Sequence, residues 1–391
     1  MKMCLYQGDA KKILQKMHSN TIDAIVSDPP YQLDSITKQF GKDGAFQRVS
    51  KGFMGEEWDV LPDVEILKEC LRVLKPGAFA LWLMTSRQDS QLEFLMRLRN
   101  AGFVIGFTSL YWAFAKGFPK SENISKAVDK KLGVEREIIS RNPNSRENST
   151  VDNTLYKSGT VGKTAYITKP RSDQAKALEN AFGGFQPKPA VEVIIVSMKP
   201  LSEKTYVDQA LKNGKGITWL GNARIPDQVA GINNSRFPAN LLVSDNILDT
   251  QIKDRGDFSR YFSLDAWWDR RIKELPEEIQ KTYPFLITPK ANKTEKNKIG
   301  NYNVKNIHPT VKPLKLISYL ITLVSKPQDT ILDPFIGSGT TMLSAKLLNR
   351  NCIGIEKVPE YIEIIKQRMD WGNGLDIDYE FEIEKVKKYG K

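Results

Sequence analysis

Histidine and cysteine are scarce in this chain of 391 residues, and their scarcity excludes several kinds of site. The two histidines, His18 and His308, cannot supply a metal site built on several imidazoles, and they leave few forms of a Ser-His-Asp triad. The three cysteines, Cys4, Cys70 and Cys352, lie far apart and show no paired zinc-ligand spacing. We therefore expect no disulfide framework, no structural zinc and no metal in the functional site.

Long apolar runs are also missing. No stretch approaches the roughly 18 apolar residues of a membrane span. The first residues, Met1-Lys2-Met3-Cys4, lack the apolar core and the cleavage site of a signal peptide. We expect a soluble, cytoplasmic protein that does not bind membranes, with enough residues for about two to three domains.

Positive charge is present in excess, and it is concentrated in the middle of the chain. The formal net charge is +12. Residues 1–115 carry 14 Lys+Arg against 13 Asp+Glu, and residues 313–391 carry 11 of each. Residues 116–188 carry 14 against 8, and residues 201–312 carry 18 against 13. This distribution is typical of a neutral catalytic core with a basic module that faces nucleic acid, although solvated charge without a partner gives the same totals.

Apolar strands alternate with helical patterns at both ends of the chain. Near the N-terminus, strands are predicted over residues 3–6, 22–27, 78–84 and 103–114, and helices over 64–74 and 88–100. Near the C-terminus, helices are predicted over 314–324, from about 341 and from 359, and strands over 330–332 and 352–355. This alternation predicts an α/β fold with a doubly wound, mainly parallel sheet.

The α/β pattern is interrupted in the middle of the chain. Residues 116–189 form a basic, polar segment that we predict to be a partly flexible insertion. A core strand returns within residues 190–200, and residues 201–304 have no βα periodicity, which indicates a separate module. In the tail, 372–391, residues 377–383 alternate strictly and predict an edge strand.

The first chemical motif is Asp28-Pro29-Pro30-Tyr31, which follows the predicted strand 22–27. Open α/β sheets place their ligands at such strand ends. An amine conjugated to an aromatic base is a poor nucleophile, and two acceptors on its N–H groups would hold the nitrogen closer to tetrahedral. Asp28 supplies one acceptor and the carbonyl of Pro29 the other, while Tyr31 offers a stacking face for a flipped base. An ordinary turn after a strand is the alternative.

The second chemical motif runs from Asp333 to Thr341 and reads Asp-Pro-Phe-Ile-Gly-Ser-Gly-Thr-Thr. It follows a predicted strand and leads into a helix, so its glycines let the backbone approach a ligand and the helix N-terminus favours an anion. It matches neither the dinucleotide fingerprint nor the phosphate loop. Glu356, at the end of the next strand, suits a ribose diol, and a surface glutamate is the alternative.

These motifs, in this order, resemble a known family. Asp28 to Tyr31 comes first, Asn306-Ile307-His308-Pro309-Thr310-Val311-Lys312-Pro313 follows late in the chain, and Asp333 to Thr341 comes last with Gly354-Ile355-Glu356 after it. This order resembles the DNA amino-methyltransferases of the β type, in which the catalytic motif precedes the target-recognition domain. The resemblance covers roughly residues 1–115, 190–200 and 305–370.

The resemblance implies a Rossmann-like domain with a circularly permuted motif order that uses S-adenosyl-L-methionine (AdoMet). Residues 1–115 would form its catalytic part, 305–371 its AdoMet-binding part and 201–304 an inserted target-recognition domain. The implied reaction is transfer of a methyl group to adenine N6 in double-stranded DNA, by base flipping and direct attack. The pattern is also compatible with a homodimer and with a cognate restriction endonuclease, in a prokaryotic cell or a phage-infected host.

The resemblance also implies roles for individual residues. The catalytic residues would be Asp28, Pro29, Pro30 and Tyr31. The cofactor-binding residues would be Asp9, Thr310, Lys312, Asp333, Pro334, Phe335, Gly337, Ser338, Gly339, Thr340 and Glu356. His308 would be structural. A helix cap fits Asp9 as well as a contact to the AdoMet adenine, and an exposed charge fits Lys312 as well as a contact to the methionine carboxylate.

Alternatives to adenine N6 methylation remain. In this family an aspartate at the first motif position usually accompanies adenine N6 and a serine accompanies cytosine N4. The rule has exceptions and Ser27 precedes Asp28, so cytosine N4 is the alternative. A cytosine C5 enzyme is disfavoured because none of the three cysteines follows a proline. A DNA-binding regulator that has lost catalysis is a more remote alternative.

Overall fold

A computed structural model describes residues 1–32, 38–40, 46–48, 59–113, 122–141, 166–185, 190–223, 225–226, 235–243, 262–263, 298–299, 302–303, 310–370 and 380–385. Two compact units contain them: Met1–Lys116 together with Ala190–Lys391, and Gly117–Pro189. The predicted motif residues 306–309, with His308, lie outside the described residues.

A ten-stranded sheet forms the centre of the first unit. Its strands in chain order are β1 (Lys2–Gln7), β2 (Ala24–Ser27), β3 (Phe79–Thr85), β4 (Leu110–Ala113), β5 (Val191–Met198), β6 (Leu241–Val243), β7 (Phe262–Ser263), β8 (Thr330–Asp333), β9 (Asn351–Glu356) and β10 (Glu380–Lys385). Their order in space is β7-β6-β4-β5-β3-β2-β8-β9-β1-β10. Within this sheet only β5 runs against its neighbours, β3 and β4. The predicted mainly parallel sheet is therefore confirmed.

The described helices connect these strands or belong to the second unit. In chain order they are α1 (Ala10–Leu14), α2 (Val64–Val73), α3 (Gln88–Ala101), α4 (Ile124–Lys131), α5 (Asp173–Ala177), α6 (Tyr206–Asn213), α7 (Leu314–Val324), α8 (Thr340–Leu347) and α9 (Pro359–Asp370). None of the helices in the described part of the chain is long and apolar enough to cross a membrane.

Successive strand residues point to opposite sides of the sheet, and both faces of the central strands β2 and β3 are buried. On β2, Val26 packs into a core with residues of α7, α8 and α9, whereas Ile25 packs into a core with residues of α1, α2 and α3. Leu81 and Ala80 on β3 divide in the same way. Strands covered on both faces read as continuous apolar runs, which is why they are visible in the sequence.

Most predicted elements match the observed ones. The bounds of α7 are as predicted, and β10 pairs in parallel with β1 at one edge of the sheet, so the predicted edge strand in the tail is confirmed. The predicted strand 103–114 is shorter: β4 spans only Leu110–Ala113, and Val104 makes an isolated bridge to Met198.

Residues between β5 and α7 also contribute to the first unit. β6 and β7 extend the sheet beside β4. Lys215, just after α6, is buried, and its Nζ lies 2.8 Å from Asp23 Oδ1 and 3.0 Å from Asp329 Oδ2, below the starts of β2 and β8. The predicted recognition role of residues 201–304 stays a prediction.

Four two-stranded ribbons complete the described secondary structure. Three of them pair Lys38–Phe40 with Phe46–Arg48, Ile225–Pro226 with Ser235–Arg236, and Lys298–Ile299 with Tyr302–Asn303. The fourth lies in the second unit.

The second unit contains α4, α5 and an antiparallel ribbon of Glu137–Arg141 with Tyr166–Lys169. Asp129 on α4 is fully buried and accepts hydrogen bonds from Arg136 Nη1 at 2.7 Å and from the Ser172 hydroxyl at 2.6 Å. These bonds fix the chain that leads into α5. Residues 142–165 lie outside the described residues, and the partly flexible character predicted for residues 116–189 stays a prediction.

Candidate active site

Four acidic residues lie at the carboxyl ends of neighbouring strands. Asp9 follows β1, Asp28 follows β2, Asp333 ends β8 and Glu356 ends β9. These strands are parallel neighbours, so their carboxyl ends meet at one edge of the sheet. Within the described ranges, no three His, Cys, Asp or Glu side chains are placed to hold a metal ion together.

Asp28 lies in a compact polar cluster with Tyr31, Lys312 and Glu192. Its Oδ1 accepts a hydrogen bond from the Tyr31 hydroxyl at 2.6 Å, and its Oδ2 lies 3.1 Å from Lys312 Nζ. Lys312 Nζ also donates to Tyr31 Oη at 3.0 Å and lies 2.9 Å from Glu192 Oε2. The side chain of Asp28 is 22% exposed, so the cluster is accessible on the Asp28 side.

The charges in this cluster depend on one another. Burial raises the pKa of Asp28, Lys312 opposes that rise, and the charge of Glu192 adds to it. Burial disfavours the charge of Lys312, but the carboxylates of Asp28 and Glu192 hold the pKa of Lys312 above its usual value. Burial and the charge of Asp28 raise the pKa of Tyr31 well above its usual value. At neutral pH Lys312 therefore keeps its charge and Tyr31 its proton.

Asp59 fixes the chain that leaves the first motif. It is 2% exposed, and its Oδ1 accepts the backbone N–H groups of Tyr31 and Gln32, both at 2.9 Å. Gln32 has a φ of 52°, a left-handed conformation that a non-glycine residue rarely adopts. The two hydrogen bonds stabilise that turn and hold Tyr31 beside Asp28.

Asp333 links β2, the glycine-containing loop and α8. Its Oδ1 accepts from the Ser27 hydroxyl at 2.6 Å and from the Phe335 N–H at 3.1 Å, and its Oδ2 accepts from the Thr341 hydroxyl at 2.7 Å. Burial raises the pKa of Asp333 to about 6, against these hydrogen bonds. Asp333 is 2% exposed, so it holds the loop from inside, and a direct contact to a cofactor stays a prediction.

The loop that follows β8 relies on two left-handed glycines. Gly337 has a φ of 55° and Gly339, which precedes α8, a φ of 83°. A Cβ on Gly339 would lie only 3.0 Å from the Ile365 side chain, so glycine is required there both by conformation and by space.

Glu356 holds the same loop from β9. Its Oε2 accepts the Gly337 N–H at 2.9 Å and its Oε1 accepts the Val358 N–H at 2.7 Å. Burial raises the pKa of Glu356 to about 7, and the backbone N–H groups limit that rise. Glu356 is 8% exposed, so the surface-glutamate alternative is wrong.

Arg368 supports the loop from α9. Its Nη1 donates to the Ser338 carbonyl at 2.7 Å and to the hydroxyls of Ser338 and Thr340, both at 3.0 Å. Arg368 is 2% exposed and brings a positive charge behind the N-terminus of α8.

The remaining predicted residues take varied positions. Asp9 caps α1, with Oδ1 accepting the Lys12 N–H at 3.1 Å, so the helix-cap alternative is confirmed and a cofactor contact stays a prediction. Lys312 is 8% exposed, so the exposed-charge alternative is wrong. Thr310 and Phe335 are partly exposed, and Pro334 is buried.

Glu192 is a site residue that sequence reasoning did not identify. It lies on β5, where it is paired with Thr85 at the carboxyl end of β3. Because β5 is antiparallel, its first residues reach the edge at which the other strands end. The available signal was a single charged residue in a strand, Val191–Met198, that is apolar apart from Glu192 and Ser197. Asp59 and Arg368 had no comparable signal.

Comparison with known proteins identifies a matching family. The N6_N4_Mtase family model, described as DNA methylase, matches residues 22–367. The Type II methyltransferase M2.MboI of Moraxella bovis is 36% identical over 118 residues, which is 28% of this chain and 42% of that protein. The Type II methyltransferase M.HinfI of Haemophilus influenzae is 45% identical over 100 residues, which is 26% of this chain and 27% of that protein. The alignments thus span less than half the length of these relatives.

Among solved structures, the M1.HpyAVI-SAM complex is similar over 95% of this chain and 100% of that chain, with 16% sequence identity. Its TM-score is 0.41.

Proposed function

Because the chain belongs to the N6_N4_Mtase family of DNA methylases, which depend on AdoMet, we propose that it methylates an exocyclic base amine in duplex DNA, adenine N6 in preference to cytosine N4. The observation that carries this proposal is the position of Asp28. Its partly exposed carboxylate lies at the carboxyl end of a central strand, beside the tyrosine of the same motif.

The residues around the loop after β8 fit AdoMet. Gly337 and Gly339 have no side chain, so a ligand can approach their backbone. The N-terminus of α8 favours the methionine carboxylate, and the charge of Arg368 behind it adds to that preference. Glu356 accepts backbone N–H groups, and its remaining acceptor capacity can take the ribose hydroxyls. When bound there, AdoMet would supply an electrophilic methyl group.

Asp28 and Pro29 would prepare the target amine for attack. Asp28 accepts one N–H and the Pro29 carbonyl the other, which leaves the nitrogen lone pair directed at the methyl group. The tyrosine ring of Tyr31 holds the flipped base by stacking. The nitrogen must lose a proton after it has gained the methyl group, and the Asp28 carboxylate is the adjacent acceptor.

The surroundings of Ser27 support adenine over cytosine. Ser27 is fully buried, and its hydroxyl donates a hydrogen bond to Asp333, which holds the loop after β8. Asp28, not Ser27, occupies the first position of the motif. The resemblance associates an aspartate at that position with adenine N6. Cytosine N4 is the alternative product.

Nucleoside analysis tests the target atom. DNA of mixed sequence would be incubated with the purified protein and methyl-labelled AdoMet, digested to nucleosides and separated by mass spectrometry. We expect the label in N6-methyldeoxyadenosine. Label in N4-methyldeoxycytidine would change the assigned target from adenine N6 to cytosine N4. The absence of any label would refute the methyltransferase proposal.

DNA binding would rest on the basic middle of the chain. Residues 116–188 and 201–312 carry almost all of the excess positive charge. Contacts to phosphates release counterions, so the logarithm of the affinity should fall linearly with the logarithm of the salt concentration. Fluorescence anisotropy with a labelled duplex measures this slope. Salt-independent binding would contradict a phosphate-binding role for this charge.

The relatives named above are Type II methyltransferases, so a role in restriction-modification belongs to the same proposal. A cytoplasmic location, a homodimer and a cognate endonuclease accompany it. Analytical ultracentrifugation with and without a DNA duplex tests the homodimer.

A further inference from the structure

Glu192 makes a contact that the reaction described above does not use. Its Oε2 lies 2.9 Å from Lys312 Nζ, and the side chains of Glu192 and Lys312 are 17% and 9% exposed. The partner lysine is in turn 3.1 Å from Asp28 Oδ2. Two carboxylates from different strands therefore share one buried ammonium group at the candidate active site.

Each N–H donor of Lys312 has an acceptor in reach, and each oxygen of Asp28 already faces one donor. An ammonium group has three N–H donors, and Lys312 has three acceptors in reach: Asp28, Glu192 and Tyr31 Oη. Asp28 is engaged through both oxygens, because Tyr31 donates to Oδ1 and Lys312 approaches Oδ2. A base amine that binds to Asp28 must therefore share an oxygen with one of these two donors or displace that donor.

Lys312 can leave Asp28 only if its ammonium group keeps another anionic partner. A buried ammonium group that loses its only counter-charge is strongly destabilised, so it would stay with Asp28 and compete with the incoming amine. Glu192 removes this obstacle, because Lys312 remains paired with Glu192 after it has left Asp28. Tyr31 cannot replace Glu192 in this role, since its hydroxyl carries no charge at neutral pH.

We propose that Glu192 is a positioning residue of the methyl-transfer reaction, which retains Lys312 and so frees Asp28 to accept the target amine. The inference rests on the proposed function, because it assigns the amine to Asp28. It adds a requirement that the motif itself does not contain: an acidic residue on the antiparallel strand β5. Glu192 touches neither the base nor the methyl group and acts through Lys312.

Replacement of Glu192 by glutamine tests this role, because the change keeps shape and removes charge. In Glu192→Gln, Lys312 has Asp28 as its one remaining anionic partner in the cluster. We expect single-turnover methyl transfer to fall about 10- to 100-fold, a smaller loss than removal of a group that contacts the reacting atoms. The dissociation constants for AdoMet and DNA should change less than about threefold. Glu93→Gln, at an exposed glutamate on α3, is the matched control and should keep the wild-type rate.

The pH profile separates this role from a merely structural one. Asp28 is faced by Lys312, Glu192 and Tyr31, with Asp333 nearby, and the charge of Glu192 raises the pKa of Asp28. Removal of that charge should lower this pKa, so the acidic limb of the single-turnover rate should move to lower pH in Glu192→Gln. A structural defect would reduce the rate without moving the limb. Glu192→Asp, which restores the charge, should recover part of the rate.

A double-mutant cycle with Lys312→Met tests whether Glu192 acts through Lys312. Once Lys312 is absent, Glu192→Gln should have little further effect on the rate. Equal effects of Glu192→Gln with and without Lys312 would overturn the proposal, as would a wild-type rate in the single variant.

A measurement that does not depend on enzymatic activity tests the role of Glu192 separately from the proposed function. Carbon-13 NMR of aspartate-labelled protein, with the Asp28 signal assigned by its loss in Asp28→Asn, gives the pKa of Asp28 directly. We expect a lower value in Glu192→Gln than in the wild type. An unchanged pKa would overturn the role of Glu192, whereas an inactive wild-type protein with the expected pKa change would overturn only the methyltransferase proposal.

Discussion

The raised pKa of Glu356 makes a quantitative prediction about cofactor binding. Burial raises this pKa to about 7, and the ribose hydroxyls would donate to the ionised carboxylate. Binding of AdoMet therefore favours ionisation and lowers the pKa of Glu356 in the complex. The sign follows: affinity should strengthen as the pH rises through 7, and the protein should release protons when it binds AdoMet below and near this pH.

The magnitude follows from the ionised fraction. With a pKa of about 7, roughly 9% of Glu356 is ionised at pH 6 and roughly 91% at pH 8, so AdoMet should bind about tenfold more tightly at pH 8. At pH 7 about half a proton should be released for each AdoMet bound. Isothermal titration calorimetry in buffers with different ionisation enthalpies measures both quantities.

Glu356→Gln is the control for this experiment. It should bind AdoMet at least about tenfold more weakly at pH 8, because it loses a charged acceptor. The amino group of the cofactor also titrates near this range, and its contribution persists in the variant. The difference between the two proteins isolates Glu356. If the wild type and Glu356→Gln show the same proton release, the assignment of Glu356 to the ribose is refuted.

Two further perturbations test the loop and the fold. Gly339→Ala should weaken AdoMet binding at least about tenfold, because the left-handed backbone and the nearby Ile365 both oppose a Cβ, whereas Gly133→Ala, with a φ of 68° and open space, should leave it unchanged by calorimetry. Lys215→Met removes this cation from Asp329 and leaves Asp23 with Lys75 as its remaining cation among the described residues. Urea denaturation should show a loss of about 3 to 5 kcal/mol in the free energy of unfolding. A loss below about 1 kcal/mol, as for an exposed pair, would show that this cluster does not stabilise the fold.

The sequence predicts well which residues lie at the carboxyl ends of the strands, because local patterns determine them. Strands buried on both faces read as apolar runs, and the residues that follow them read as Asp28 to Tyr31, Asp333 to Thr341 and Glu356. Parallel strands end at one edge, and these residues come together because β2, β8 and β9 are neighbours in the sheet.

The partners of these residues are not predictable in the same way. Lys312 reaches Asp28 from the residue before the N-cap of α7, and Glu192 reaches Lys312 because β5 runs antiparallel. Asp59 acts through the backbone of Tyr31 and Gln32, and Arg368 acts from α9. The sequence pattern around a charged residue does not show whether tertiary packing buries it or leaves it in solvent.

Removal of the Asp28 carboxylate tests the central claim most directly. In Asp28→Ala, the target amine loses an acceptor whose hydrogen bond stabilises the transition state more than the bound base. Single-turnover methyl transfer to duplex DNA should fall by at least about 100-fold, while the dissociation constants for AdoMet and DNA stay within about threefold of the wild type. Rapid-quench measurement with methyl-labelled AdoMet, beside binding titrations of the same protein, gives both numbers. Near-normal single-turnover transfer by Asp28→Ala would contradict the assignment of Asp28 as the acceptor of the target amine.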